Sequence, residues 1–503
     1  MTTGHQDAPT AGFTASRDRF ETVLGFLDGQ EAGALSDGEL EERLAVDHRE
    51  LFRQLLQDHL DLRAQREARV EGVRDADGVS RPSTETGHAR ALATVFGQVN
   101  VTRIAYRKPG RGNLHPADAT LNLPAERHSH GLRRLAAVEF SRGSFDDASE
   151  AMARATGQQV GKRQVEELTA RAAVDFDGFY ATRQPPPDAD PGDVLVLSCD
   201  GKGVVMRADA LRPATAAAAG KATSKLASRL SKGEKRNRKR MAEVGAVYDA
   251  SPAPRTSPDI LPANQDQRAR AAPGPATSNK WLTASVVDDA AQVVAQIFDE
   301  AERRDRDHAR TWIALVDGNN HQIDRITAEA ATRWIPVAIT IDFIHVLEYL
   351  CKAAWCFYAE GDPAVEAWVQ DKARAILAGR AAKVAGAIRR QATNAKLEPT
   401  RRTGADTCAR YLTNKAPYLD YPTALTSGWP IATGVIEGAR RHLVKDRLDI
   451  TGARWGLPGA EAILKLRAVR SNGDLDAYWT TTSPRNSSAP TAHDADNVIP
   501  QAA

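Results

Sequence analysis

The chain has 503 residues, with 67 Lys and Arg against 65 Asp and Glu, a formal net charge of +2, and 42% hydrophobic residues. That length is too great for one core and implies two to four domains, while no apolar run approaches the ~20 residues of a membrane span, which excludes a membrane partner. The four cysteines (Cys199, Cys351, Cys356, Cys408) lack the paired spacing of a zinc centre and are too sparse for a disulfide framework, so a reducing cytoplasm is expected.

Residues 1–90 read as a helical N-terminal arm. The first 18 or so form a leader, expected to be disordered and lacking the basic-then-apolar layout of a signal peptide. From 18 to 73 the apolar residues fall at helical spacing, as in Glu39-Leu-Glu-Glu-Arg-Leu-Ala and Leu51-Phe-Arg-Gln-Leu-Leu. Such a helix pair is either a dimerisation element or a subdomain packed on its own chain.

Residues 91–184 combine a β-ribbon with a helix-turn-helix pattern, both candidates for DNA binding. Over 94–106, β-branched and aromatic residues dominate around Gly97, which predicts a short hairpin. Its cations, Arg103, Arg107, Lys108 and Arg111, either grip a phosphate backbone or form a solvated face. Further on, Ser144 is placed to cap a helix, Gly157 to end it, and Lys162, Arg163 and Gln164 to open a second helix. That spacing suits helix-turn-helix geometry, with Lys162 and Arg163 as candidate DNA contacts. The proline-rich stretch 185–191 then reads as a stiff linker.

Residues 192–361 carry an α/β pattern. Asp193-Val-Leu-Val-Leu-Ser-Cys-Asp200-Gly-Lys-Gly-Val reads as a buried strand ending on an acid, a glycine-bracketed turn and a returning strand. A basic insertion, 207–241, follows. It holds Lys221, Lys225, Arg229, Lys232, Lys235, Arg236, Arg238, Lys239 and Arg240 with Glu234 near its middle, and suits a nucleic-acid backbone. A β pattern resumes at 244–248, residues 250–279 read as a mobile connection, and a helix is expected from 286 to about 306. Two more apolar strands end on acids, Leu315-Val-Asp317-Gly-Asn-Asn-His321 and Ile335-Pro-Val-Ala-Ile-Thr-Ile-Asp342; the second runs into the helix that carries His345. Strands and helices alternating, with acids at the strand ends, predict a sheet whose chemistry lies along one edge.

Residues 362–432 read as a helical insertion, and 433–480 as a helix bearing Glu437 followed by C-terminal helices. The Glu437 helix continues into Arg441, Lys445 and Arg447, either DNA contacts or a solvated face, and Trp455 is either a core residue or a stacking platform for a base. The polar tail, 481–503, is expected to be disordered. Only a fold can gather Asp200, Asp317 and Glu437. Gathered carboxylates must hold a hard cation, share protons or pair with bases. Mg²⁺, or Mn²⁺, suits them, and two such ions about 4 Å apart would activate a nucleophile and stabilise the leaving oxygen of a phosphoryl transfer.

Four segments together carry a family resemblance: Cys199-Asp200-Gly-Lys-Gly-Val, Leu315-Val-Asp317-Gly-Asn-Asn-His-Gln, Asp342-Phe-Ile-His345-Val-Leu-Glu-Tyr-Leu and Gly434-Val-Ile-Glu437-Gly-Ala-Arg-Arg-His-Leu-Val-Lys-Asp-Arg. From about 94 to 470 the chain resembles the DDE transposases of bacterial insertion sequences, closest to the Kra-type group and distantly similar to Mutator-like transposases. The resemblance implies an RNase H-like mixed-sheet catalytic domain interrupted by a helical insertion. It also implies Asp200, Asp317 and Glu437 as a metal-binding catalytic triad, and Asp342 with His345 as an assisting pair. The implied activity is Mg²⁺-dependent cleavage and strand transfer at the inverted-repeat ends of the element. The implied partners are double-stranded DNA (terminal repeats and target) and further copies of the chain, in the nucleoid of the cytoplasm. Two rivals share the pattern: a nuclease that only hydrolyses DNA, and a domesticated DNA-binding protein whose site is silent.

Overall fold

The computed structural model describes residues 11–184, 190–221, 238–432, 434–450 and 452–482. The expected stiff linker and C-terminal tail, and residues 1–10 of the leader, lie wholly or mostly outside them. Residues 11–18 of that leader are already helical. Two compact units are present: 1–181 with 474–503, and 182–473. Among the described residues no helix is long and apolar enough to cross a membrane.

In the first unit, Asp37–Arg66 is a 30-residue helix opened by a capping box in which Ser36 and Glu39 satisfy each other's backbone and side chain. The helix Thr14–Leu27 is tied to it where Ser16 N and Oγ both donate to Asp58 Oδ2, at 3.0 and 2.6 Å. The ribbon is longer than its pattern predicts. Strand β1 (Ser83–Thr94) pairs antiparallel with β2 (Gly97–Arg107), so β1 begins inside the expected N-terminal arm. Leu92, Val99 and Val101 close a small core with Leu60 of the long helix. Arg103 corrects the reading of the ribbon's cations: it is buried, with Nε 2.6 Å from Asp118 Oδ1.

The helix-turn-helix pattern is realised as His130–Arg142, Phe145–Thr156 and Lys162–Ala172. Ser144 caps the middle helix, its hydroxyl accepting from Asp147 N at 3.1 Å. Gly157 ends that helix at φ +68°, a left-handed position that glycine takes without a Cβ penalty. Leu132, Phe140, Met152, Val165 and Leu168 are buried among the three helices. The last helix, Leu475–Thr482, belongs to this unit; Tyr478 donates to the Ala172 carbonyl at 2.7 Å.

The second unit is α/β, built on a mixed five-stranded sheet of order β5-β4-β3-β6-β7. The strands are β3 (Val194–Val205), β4 (Lys239–Ala250), β5 (Thr277–Ser285), β6 (Trp312–Val316) and β7 (Val337–Ile341). β3, β4 and β5 are an antiparallel meander, and β6 and β7 run parallel to β3. The near-continuous apolar runs of β3 and β6 follow from burial on both faces: Val194, Val196, Tyr248, Ile313 and Leu315 share one core cluster.

Three expectations are corrected here. First, β3 does not turn at Gly201; it continues in register through Asp200↔Val244 to Val205↔Lys239. The glycines serve close approach instead, since a Cβ at Gly201 would lie 2.8 Å from Met241 Cε and one at Gly203 2.9 Å from Lys239 Cδ. Second, the basic insertion ends sooner, because Lys239 and Arg240 already belong to β4. Third, the stretch 250–279 is structured. It contains two short helices, Ser257–Ile260 and Gln265–Arg270, and Arg255 Nη2 donates to the Trp429 carbonyl at 2.6 Å. It leads into β5, which the pattern did not reveal, and the next helix starts at Ala290, capped by Asp289.

The segment 362–432 is helical, as Ala364–Leu377, Ala381–Asn394, Thr403–Asn414 and Tyr421–Thr426. Glu437 lies on Gly434–Ala439, which passes directly into a π-helical segment, Arg440–Lys445. Such segments are rare and tend to occur at functional sites.

Candidate active site

Each acid reaches the sheet edge for a local reason. Asp200 sits inside β3, Asp317 one residue beyond β6 and Asp342 one residue beyond β7. Because β3, β6 and β7 are parallel, their carboxyl ends lie along one edge. The Glu437 helix packs on β3 and β4. Cys199, Asp200, Asp317, Asp342, His345 and Glu437 accordingly line one small pocket, floored by Leu315, Val316 and Ile436.

Burial raises the Asp200 carboxyl above its ordinary range. Arg440 and the Gly201 amide, 2.7 Å from Oδ1, oppose that shift, while Asp317 and Glu437 add to it. Arg440 is the cation in place: Nη1 is 3.1 Å from Asp200 Oδ2 and Nη2 is 2.6 Å from Glu437 Oε2. Asp317 Oδ1 accepts from Asn319 N at 2.7 Å. Asp342 Oδ1 caps the helix Phe343–Ala354 by accepting from Ile344 N at 2.7 Å, and His345 Nδ1 lies 3.7 Å from Glu348 Oε2. His321 is exposed and is not among the pocket residues. Burial also pushes the Cys199 thiol up, leaving it an unreactive neighbour.

A fifth acid escaped the sequence reading. Glu243 on β4 stands opposite Gly201, and burial, then Asp200, raises its carboxyl. The available signal was an acid within the otherwise apolar run Met241–Tyr248 of that strand. Supports from 362–432 were missed as well. Tyr411 donates to the Asp317 carbonyl at 3.1 Å, Lys415 donates to Asn320 Oδ1, and Tyr421 donates to the Ile341 carbonyl at 2.9 Å.

The carboxylates of the pocket supply oxygen donors suited to a hard divalent cation, and their mutual repulsion is felt at half-buried Asp200. Among the described residues, however, no group of three or more His, Cys, Asp or Glu is drawn in close enough to hold a metal ion. The carboxylates share a pocket, and two of them are occupied by Arg440. Metal ligation would require these side chains to close in.

The expected DNA contacts divide into three kinds. Lys162 and Arg163 open the helix Lys162–Ala172 and are exposed, pairing with Asp146 and, at 3.2 Å, Glu167. Arg441 and Lys445 are exposed on the π-helical segment. Arg447 is a correction: it is buried, its guanidinium 4.6 Å from the ring centre of Trp455, itself a core residue. Arg240 is another, since it donates to the main-chain carbonyls of Ala210, Val286 and Val287. Arg238 is half-buried and Lys239 is half-buried within β4. Lys235 and Arg236 lie outside the described residues. The chain matches no protein-family profile and no curated protein, so the chemistry of this pocket rests on its own residues.

Proposed function

We infer that the chain is a DDE-type transposase that cuts and joins DNA at the ends of an insertion sequence. The observation that carries this reading is convergence: acids at 200, 317 and 437, from the middle of one strand, the end of another and a helix, line a single pocket. The three-strand meander extended by two parallel strands supports an RNase H-like reading of the catalytic unit. The capped helix-turn-helix, with Lys162 and Arg163 on its second helix, supports recognition of duplex DNA.

In this reading Asp200, Asp317 and Glu437 hold divalent metal, with Mg²⁺ or Mn²⁺ supplying Lewis-acid stabilisation of the phosphoryl group. Burial of Asp200 makes it a strongly cation-seeking ligand. Arg440 neutralises the pocket until then, and Asp342 and His345 border the reacting strand. Exposed Arg441 and Lys445 draw the DNA backbone towards an otherwise negative site. Further copies of the chain would bring two ends together.

The test is incubation with labelled element ends and a target plasmid. Joined products are expected from the wild type. Asp200→Asn, Asp317→Asn and Glu437→Gln should each abolish joining while leaving end binding intact. Joining by any of the three variants would remove that residue from the triad, and hydrolysis without joining would make the protein a nuclease. One observation favours a second reading, a DNA-binding protein without catalysis: Arg440 already satisfies two of the three acids. DNA binding without Mn²⁺ uptake would decide for it.

A further inference from the structure

Asp200 is held within a strand that pairs with β4 along its whole length, while β6 pairs with that strand only at Leu195–Leu197. Asp317 and Asp342 lie one residue past the strands, β6 ending at Val316 and β7 at Ile341, although Asp342 N still donates to the Val316 carbonyl at 2.8 Å. Carbonyls beyond the last rung need donors from elsewhere, since a buried carbonyl left unpaired is costly. The helical segment 362–432 supplies them. Tyr411 Oη donates to the carbonyl of Asp317 itself (3.1 Å), and Tyr421 Oη to that of Ile341, immediately before Asp342 (2.9 Å). Lys415, which is buried, donates to Asn320, the first residue of the helix Asn320–Arg333 that follows the Asp317 loop.

The geometry is specific to hydroxyls at these points. Gly318 sits at φ +90° and a Cβ there would lie 2.6 Å from Tyr411 Oη, so the loop has been built around that oxygen. The Tyr411 ring stacks on Tyr349 at 3.9 Å and 17°, and Tyr349 belongs to the helix that Asp342 caps. The Tyr421 ring meets Phe343 edge-on at 5.2 Å. Burial keeps both phenols well above their ordinary range, so both remain donors.

We propose that Tyr411 and Tyr421 are positioning residues: through their hydroxyls the helical insertion sets the placement of Asp317 and of the adjoining strand end at Ile341, and so, through Asp317, the pocket's capacity to take up a divalent cation. This rests on the metal-dependent reading above. It assigns the 362–432 segment a role in building the site.

The experiment uses the full chain and Mn²⁺ alone as probe, with free Mn²⁺ followed by electron paramagnetic resonance and melting temperature measured in parallel. Tyr411→Phe and Tyr421→Phe each keep the ring and its stacking while deleting the hydroxyl. Partners that orient a ligand are typically worth 10–100-fold in metal affinity. The double variant should therefore bind Mn²⁺ at least about 10-fold more weakly, with the chain still folded and melting cooperatively. A lowered melting temperature with unchanged Mn²⁺ affinity would make the tyrosines merely structural and overturn the proposal. Absence of Mn²⁺ uptake by the wild type, equal to that of Asp317→Asn, would overturn the metal reading and this inference with it.

Discussion

Gly318→Ala tests the loop that presents Asp317 and can be worked from the structure. The new Cβ would meet Tyr411 Oη at 2.6 Å and Ile341 Cδ1 at 3.2 Å, on a backbone at φ +90°. A left-handed conformation costs an L-residue about 1–2 kcal/mol. Overpacking of this severity adds about 1–3 kcal/mol, and the stiffer unfolded chain returns about 0.5 kcal/mol. The net loss is about 3 kcal/mol. For a unit of about 290 residues the unfolding entropy is roughly 0.6 kcal/mol per degree, so melting should fall by about 5 °C. Tyr411→Phe alone removes one hydrogen bond, worth about 1 kcal/mol. In the double variant the first atoms met are Ile341 Cδ1 at 3.2 Å and Tyr411 Cε2 at 3.3 Å, contacts that shifts of a few tenths of an ångström relieve, and the lost bond is already broken. The cycle should thus be sub-additive by about 1–2 kcal/mol in calorimetry or urea unfolding. Additive losses, or a neutral Gly318→Ala, would refute the idea that the loop is shaped around that hydroxyl.

The other predictions concern charge and capping. Asp200→Asn should stabilise the protein at neutral pH, because burial raises the Asp200 carboxyl and its ionised form costs stability above that raised value. The advantage should shrink as pH falls through the raised value and be lost below the ordinary 3.8, as calorimetry across pH would show. Arg447→Ala should destabilise the fold by about 2–3 kcal/mol, through lost packing on Trp455, without changing the salt dependence of DNA binding. Arg163→Ala should do the reverse, reducing the slope of log affinity against log salt by about 1 in fluorescence anisotropy with duplex DNA and leaving melting unchanged. Ser144→Ala should cost about 1 kcal/mol by removing the cap on the helix Phe145–Thr156.

Legibility followed the range of the interactions. Helix starts and stops were readable because a cap acts within four residues of its own position; Ser144 and Gly157 are examples. The strands ending on Asp317 and Asp342 were readable from runs of buried β-formers. Strand β5 was not, since an edge strand with one polar face, Thr277-Ser-Asn-Lys-Trp281, lacks such a run. The turn expected at Gly201 failed because glycine there answers to side chains crossing from β4, a contact that no local pattern carries.

The sequence alone therefore determined the α/β alternation, the helical arm and the candidate acids, all written in periodicity and residue type. Tertiary structure decided which of those residues share surroundings. It set the three acids around one pocket with Glu243 beside Asp200, and put Arg440 against two of them. It buried Arg103 and Arg447 while leaving Arg163 and Arg441 exposed. It also brought two tyrosine hydroxyls from a remote helical segment to the strand ends. The physical reason is that desolvation, ion pairing and hydrogen bonding act over a few ångströms in space, whatever the distance along the chain.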